Sequence, residues 1–174
     1  MLRKIILSVI LATIFFCGQC FAASEYPICS KDQNAFIASF NTAAKNLGFT
    51  LGTPESLPME NNPDNVHAYS VEPVPADVHA GSFVITDKDN FVNRILLVTD
   101  DVEIATKMFK PALLAVGLTE NEINVNPTFD TTAMLNSFWC EATKRYVNVV
   151  TAINKDNSDV VYILILASKD KPKK

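Results

Sequence analysis

Two histidines with nearby carboxylates are the residues of this chain best suited to hold a metal ion. His67 follows Asp64, and His79 follows Asp77, each within three positions. Two imidazoles and one or two carboxylates suit zinc or a similar ion. If the strand that carries His67 pairs with the strand after His79, the two rings approach each other. No His-Glu-x-x-His spacing enforces such a site, so His67, His79 and Asp77 form a metal-site hypothesis against the alternative of histidines on surface loops.

Other catalytic signatures are missing from the sequence. No Gly-x-Ser-x-Gly elbow is present, and the glycines that a phosphate-cradling loop needs are few, since Gly48 and Gly117 stop helices. The acidic run that begins at Asp100 fits the start of a helix better than a calcium site. We therefore expect no cofactor and favour a non-enzymatic role.

The first 22 residues have the order of a secretory signal peptide. A basic start at Arg3 and Lys4 is followed by an apolar run and by small residues before a cleavage point after Ala22. The apolar run is shorter than the ~20 residues that a spanning helix needs. We therefore expect an exported protein, periplasmic or secreted, with no stable membrane anchor after cleavage.

The charge of the cleaved chain argues against nucleic acid as a partner. The whole chain has 15 basic and 19 acidic side chains, and loss of Arg3 and Lys4 leaves 13 against 19, a formal charge of −6. An acidic protein is a poor ligand for nucleic acid or an anionic membrane. The one basic cluster, the tail 169–174, is typical of a frayed, solubilising terminus.

Cleavage of the signal peptide also leaves two cysteines, Cys29 and Cys140. Two cysteines in an oxidising compartment usually pair, and two buried thiols or a redox pair are the alternatives. The disulfide would close a loop of about 110 residues and stabilise the fold by ~4–5 kcal/mol in the chain-entropy model. We expect the disulfide.

A weak internal repeat organises the mature chain. Residues 40–50 align with 109–119, and the tripeptide at 88–90 recurs at 155–157, so the offsets of 69 and 67 nearly agree. Chance matching of short segments is the alternative. The repeat predicts pseudo-repeats 30–99 and 100–168 within a single domain that spans residues 23–168.

Each pseudo-repeat predicts one helix followed by three strands. A capping box at Ser30 and Gln33 starts the first helix, and Asp100 with Glu103 starts the second, in which Pro111 predicts a kink or a break. The predicted strands are Val66–Pro73, Gly81–Asp87, Phe91–Thr99, Asn136–Thr143, Tyr146–Ile153 and Val160–Ala167. The expected fold is therefore α+β: one mainly antiparallel, six-stranded sheet with both helices packed on one face. This order of elements resembles duplicated helix-and-meander folds such as the β-lactamase inhibitor proteins, and the resemblance implies architecture only.

Two features indicate recognition. The last strand, which contains Tyr162, is apolar on both faces, so either a second layer covers it or its outer face is an interface. Trp139 lies between Phe138 and Cys140, and alternation directs it to the opposite side of the sheet. Tryptophan is enriched at binding centres, although it is also a common core residue.

We therefore expect a non-catalytic binding or protein-interaction module of the cell envelope. Trp139 and Tyr162 are its candidate binding surface, and the partner is a protein or a second copy that docks on the open sheet face. The long connections Leu51–Asn65 and Glu120–Asp130 are further candidate sites. The alternative is a metal-dependent or small-molecule enzyme that uses His67 and His79 with nearby carboxylates.

Overall fold

The computed structural model of this chain describes residues 26–58, 66–154 and 160–171. The predicted signal peptide and Asp64 lie outside these residues. The described part is an α+β fold with two helices, a main antiparallel sheet of seven strands and a small two-stranded sheet. The elements are α1 (Gln33–Ala43), β1 (Thr50–Leu51), β2 (Glu55–Leu57), β3 (His67–Val71), β4 (Pro73–Val74), β5 (Ala80–Thr86), β6 (Val92–Thr99), α2 (Val102–Ala115), β7 (Met134–Cys140), β8 (Arg145–Asn154) and β9 (Val160–Ser168).

The α+β class and the mainly antiparallel sheet are confirmed, but the main sheet has seven strands rather than the predicted six. The added strand is β2, which pairs with β3, and β1 and β4 form the small sheet. These three strands have two or three residues each, too few to show a period of two. Pro54 and Pro58 flank β2 and mark its surroundings as loop.

The main sheet has the order β2-β3-β5-β6-β9-β8-β7, so β6 and β9 lie at its centre. Ile95 and Leu97 of β6 lie opposite Ile165 and Ile163 of β9, and all four belong to the main hydrophobic core. All buried side chains of the two helices except Ala105 belong to the same core, among them Phe36, Phe40, Met108 and Phe109. We call this side of the sheet the helix-side face and the opposite side the open face.

The two helices start one or two residues later than the sequence predicts. The cap of α1 is Asp32 rather than Ser30, and its carboxylate accepts the amide hydrogen of Ala35 at 2.8 Å. The cap of α2 is Asp101 rather than Asp100. Because a short acidic or hydroxyl side chain at any of these positions can cap, composition alone does not select one. The helix α2 continues through Pro111 to Ala115, and five of its last eight residues are buried in the core.

Candidate binding surface

The structure does not bring His67 and His79 together. His67 lies opposite Thr86 at one end of β5, whereas His79 precedes Ala80 at the other end. Across the seven residues of β5 this separation is about 20 Å at ~3.3 Å per residue. Within residues 26–58, 66–154 and 160–171, no group of three or more His, Cys, Asp or Glu residues is arranged to hold a metal ion.

His79 instead contacts the start of α2. Its Nδ1 lies 2.8 Å from Oδ2 of Asp100, and both side chains are largely exposed. The Thr99 hydroxyl donates to the His79 carbonyl at 2.7 Å and accepts the amide hydrogen of Asp101 at 3.1 Å. These contacts fix the turn between the sheet and α2, while Asp77 lies exposed in the preceding loop.

The segment 26–31 runs across the ends of β6 and β8, and its backbone forms hydrogen bonds with Val92 at the start of β6. Arg145 donates from Nη1 to the carbonyl oxygen of Pro27 at 3.1 Å. At the other end of the segment, Lys31 donates from Nζ to the carbonyl oxygen of Ala115 at 2.6 Å. The segment is therefore held between the start of β8 and the end of α2.

Cys29 lies in the middle of this segment, and Cys140 lies directly opposite Arg145 in the β7–β8 ladder. The predicted disulfide is not formed in the structure: both cysteines are free thiols buried in the main core. Burial raises the pKa of the Cys29 thiol above its usual value; Lys31 partly offsets this rise, and Cys140 adds a smaller increase.

The open face is apolar along its central strands. Leu96 and Val98 of β6 are buried there and pack against Phe83, Tyr162 and Leu164, apart from the main core. Val98 lies opposite Tyr162, and Leu96 lies opposite Leu164. The strand registers place one charged side chain, Arg94, among the open-face residues described for β3 and β5 to β9. Tyr162 is therefore a partly buried member of this second apolar cluster.

Trp139 lies at the rim of the open face on β7 and is exposed. Its ring meets that of Tyr146 edge-on at 5.1 Å, and its Nε1 donates to Oε2 of Glu141 at 2.8 Å. Phe138 and Cys140, its neighbours in sequence, are buried on the helix-side face. Met134 and Leu135 of the same strand are also exposed, and sequence reasoning missed both. They follow no binding motif and become notable because β7 is the last strand of the sheet.

A cavity of about 500 Å³ lies on the helix layer, between the end of α1, the middle of α2 and the predicted loop site Glu120–Asp130. Its lining is largely apolar and includes Leu47, Phe109, Ile123 and Val125. Two lysines also line it, but Lys107 pairs with Glu103 and Lys110 pairs with Glu120. Because both charges are compensated, the cavity offers no group that would select an anionic ligand.

No family model, curated protein or solved structure matches this chain. The similarity to the β-lactamase inhibitor proteins therefore remains one of element order. Among the described residues, no helix is long and apolar enough to cross a membrane.

Proposed function

We propose that this chain is an exported, non-catalytic interaction module that binds a protein partner through the open face. The observation that carries the proposal is a second apolar cluster, separate from the main core, in which Leu96 and Val98 are buried and Phe83, Tyr162 and Leu164 are partly buried. A sheet face that meets water normally carries alternating polar residues. Extended apolar patches rimmed by polar residues are typical of protein interaction sites.

An amphipathic helix of the partner is the occupant that fits this surface best. The other face of the same strands is covered by α1 and α2, which pack aromatic and aliphatic side chains against Ile95, Leu97 and their neighbours. The open face presents similar aliphatic side chains from the same central strands. A helix with an apolar stripe would bury them by the same mode of packing.

The apolar dye ANS tests this proposal on the purified, cleaved protein. We expect the wild type to bind the dye in its folded state and Phe83→Lys to reduce binding several-fold. Phe91→Lys is the matched control, because Phe91 is a partly exposed phenylalanine in the turn after β5. A folded wild type that binds no dye, or an equal loss in both variants, would refute the open face as the binding surface.

We also propose that Cys29 and Cys140 are joined by a disulfide in the exported protein. Two observations support the pairing: both thiols are buried in one core, and Arg145, opposite Cys140, holds the carbonyl of Pro27. The two thiols lose two protons and two electrons to a disulfide donor such as oxidised glutathione, which is reduced to two thiols. Mass spectrometry of the exported chain tests the bond and the cleavage after Ala22 together. Free, alkylatable thiols in that material would refute the bond.

The pseudo-repeats 30–99 and 100–168 are further proposed to derive from one duplicated unit. The sheet order supports this. Outward from the central pair, the strands of the first unit follow as β6, β5 and β3, and those of the second unit follow as β9, β8 and β7. Gly48 and Gly117, at matching places after the helices, have φ values of 81° and 105°, where glycine is favoured. Superposition of the two units in a crystal structure tests it: a duplication requires each strand of one unit to fall on its counterpart.

A further inference from the structure

Within the part of the chain that the structure describes, the outer side of β7 has no strand paired with it. The strand is the last of the main sheet and pairs only with β8 among the described strands. Met134, Leu135 and Trp139 of β7 are 43%, 41% and 41% exposed. None of its seven residues is charged or a proline. Edge strands that stay unpaired are usually short or carry lysine or proline, so β7 has the composition of a strand that is covered in use.

The sequence of β7 is complementary to itself about its central residue, Ser137. In an antiparallel pair of two β7 strands centred there, Leu135 lies opposite Trp139 of the partner subunit, and this contact occurs twice. Both side chains point to the open face, since each is two residues from Ser137. An aliphatic side chain directly opposite an aromatic one is a favourable cross-strand pair.

Neighbouring registers lose this match. A shift by two positions places Leu135 opposite either Ser137 or Glu141, and Trp139 then faces Ala133 or Ser137. In the register centred on Ser137, Glu141, the first charged residue after the strand, falls opposite Ala133. No like charges therefore oppose each other along the paired segment.

We propose that a second copy of this chain adds its β7 antiparallel to β7 across a two-fold axis at Ser137. Backbone hydrogen bonds then join the two main sheets into one, and each exposed Leu135 and Trp139 is covered by the other. The open faces of the two copies become one continuous surface. This dimer does not depend on the proposed partner of the open face, because it uses the edge of the sheet.

Cysteine cross-linking tests the register. In Ser137→Cys, the two introduced thiols meet at the axis, where opposite Cα atoms are ~4.5–5.5 Å apart, within the range for a disulfide. We expect the full exported chain to form a disulfide-linked dimer with oxidised glutathione, with peptide mapping locating the link at position 137. Ser70→Cys is the matched control: Ser70 is also partly buried on the open face, but it lies on β3, which β2 covers. It should not cross-link.

Sedimentation of the uncross-linked protein tests the dimer itself. We expect a concentration-dependent dimer for the wild type and for Phe91→Lys. In Leu135→Lys we expect a dissociation constant about tenfold or more higher, a loss of about 1.4 kcal/mol or more, because a lysine then faces each Trp139. A wild type that stays monomeric, a dimer that Leu135→Lys leaves unchanged, or equal cross-linking of Ser70→Cys and Ser137→Cys would each overturn the proposal.

Discussion

The two edges of the main sheet differ in whether a further strand covers them. At one end β3 is covered by β2, a strand of three residues that begins with Glu55 and lies between Pro54 and Pro58. At the other end β7 has seven residues, three of them exposed hydrophobics, and none of the described strands covers it. Charge, proline and short length are the devices that keep an edge from pairing. One end is therefore closed, whereas the other is available to a partner.

The connections that follow the two helices explain this difference. After α1, the side chain of Asn41 makes two 2.8 Å hydrogen bonds with the backbone of Leu51, and the chain then runs on as β2 beside β3. After α2, the connection stays on the helix layer, where Ile123 and Phe129 pack against the main core. Glu122 of this connection accepts the amide hydrogen of Glu141 at 2.8 Å, beyond the end of β7. The second connection thus supports β7 from the helix side and leaves its edge uncovered.

The largest effect is expected from the disulfide proposed beneath the β7 end. Cys29→Ala should lower the free energy of unfolding of the oxidised protein by ~4–5 kcal/mol, because the unfolded chain regains the entropy of the open loop. Urea unfolding of oxidised wild type and variant measures this loss. In reductant the two proteins should differ much less. If oxidised and reduced wild type unfold at the same urea concentration, no disulfide stabilises this end.

The next effect concerns how firmly β7 is attached to the helix layer. Phe138 is buried, and its ring meets that of Phe109 at 6.3 Å and 63°. Phe138→Ala should cost ~3–5 kcal/mol, as for other buried phenylalanines. The control at the closed end is Tyr69→Ala, on the helix-side face of β3, where the ring is only partly buried and the loss should be smaller. Equal losses, measured by urea unfolding, would show that the two ends are anchored alike.

Strand and helix positions were largely predictable, whereas strand order was not. The continuous apolar runs around Leu97 and Ile163 are typical of buried strands, and the glycines at 48 and 117 mark the ends of helical segments. The edge strand β2 was missed because Glu55, Ser56 and Leu57 form no pattern on their own. They become a strand only because β3 offers its backbone groups, which is a tertiary effect.

The candidate site shows the same limit. Alternation around Trp139 was enough to direct its side chain away from the core, because alternation is a local rule. The strands β3 and β5 do pair, but His67 and His79 do not approach each other. Because the two strands run antiparallel, one histidine lies at each end of β5. Leu135 was missed because its importance depends on β7 being terminal, and sequence spacing does not give the order of strands in a sheet.

Removing β2 from the edge of β3 should lower stability less than the two changes above, but it should clearly change the assembly of the protein. Replacing Glu55–Leu57 by Gly-Pro-Gly removes the β2 ladder, and we expect a loss of about 1 kcal/mol from this short strand. The uncovered β3 then becomes a second available edge, so sedimentation should show species larger than the wild-type form. Combining the replacement with Leu135→Lys should leave association through β3 alone. An unchanged sedimentation profile would show that β2 does not protect this end.

The smallest effect is a pH dependence that comes from Cys29, in the segment 26–31 that contacts the starts of β6 and β8. Burial raises the pKa of this thiol in the native state. In reduced protein below the usual thiol pKa, ~8.5, the thiol is protonated in both the native and the unfolded chain, and its contribution to stability is fully present. As the pH rises above that value, the unfolded chain releases the proton first, so the free energy of unfolding falls until the native thiol also ionises. We therefore compare the urea midpoint of reduced protein at neutral pH with that at about one unit above the usual thiol pKa. The midpoint should decrease more in the wild type than in Cys29→Ala. Since all other titrating groups are common to both proteins, equal decreases would mean that Cys29 is not buried as a thiol in the native protein.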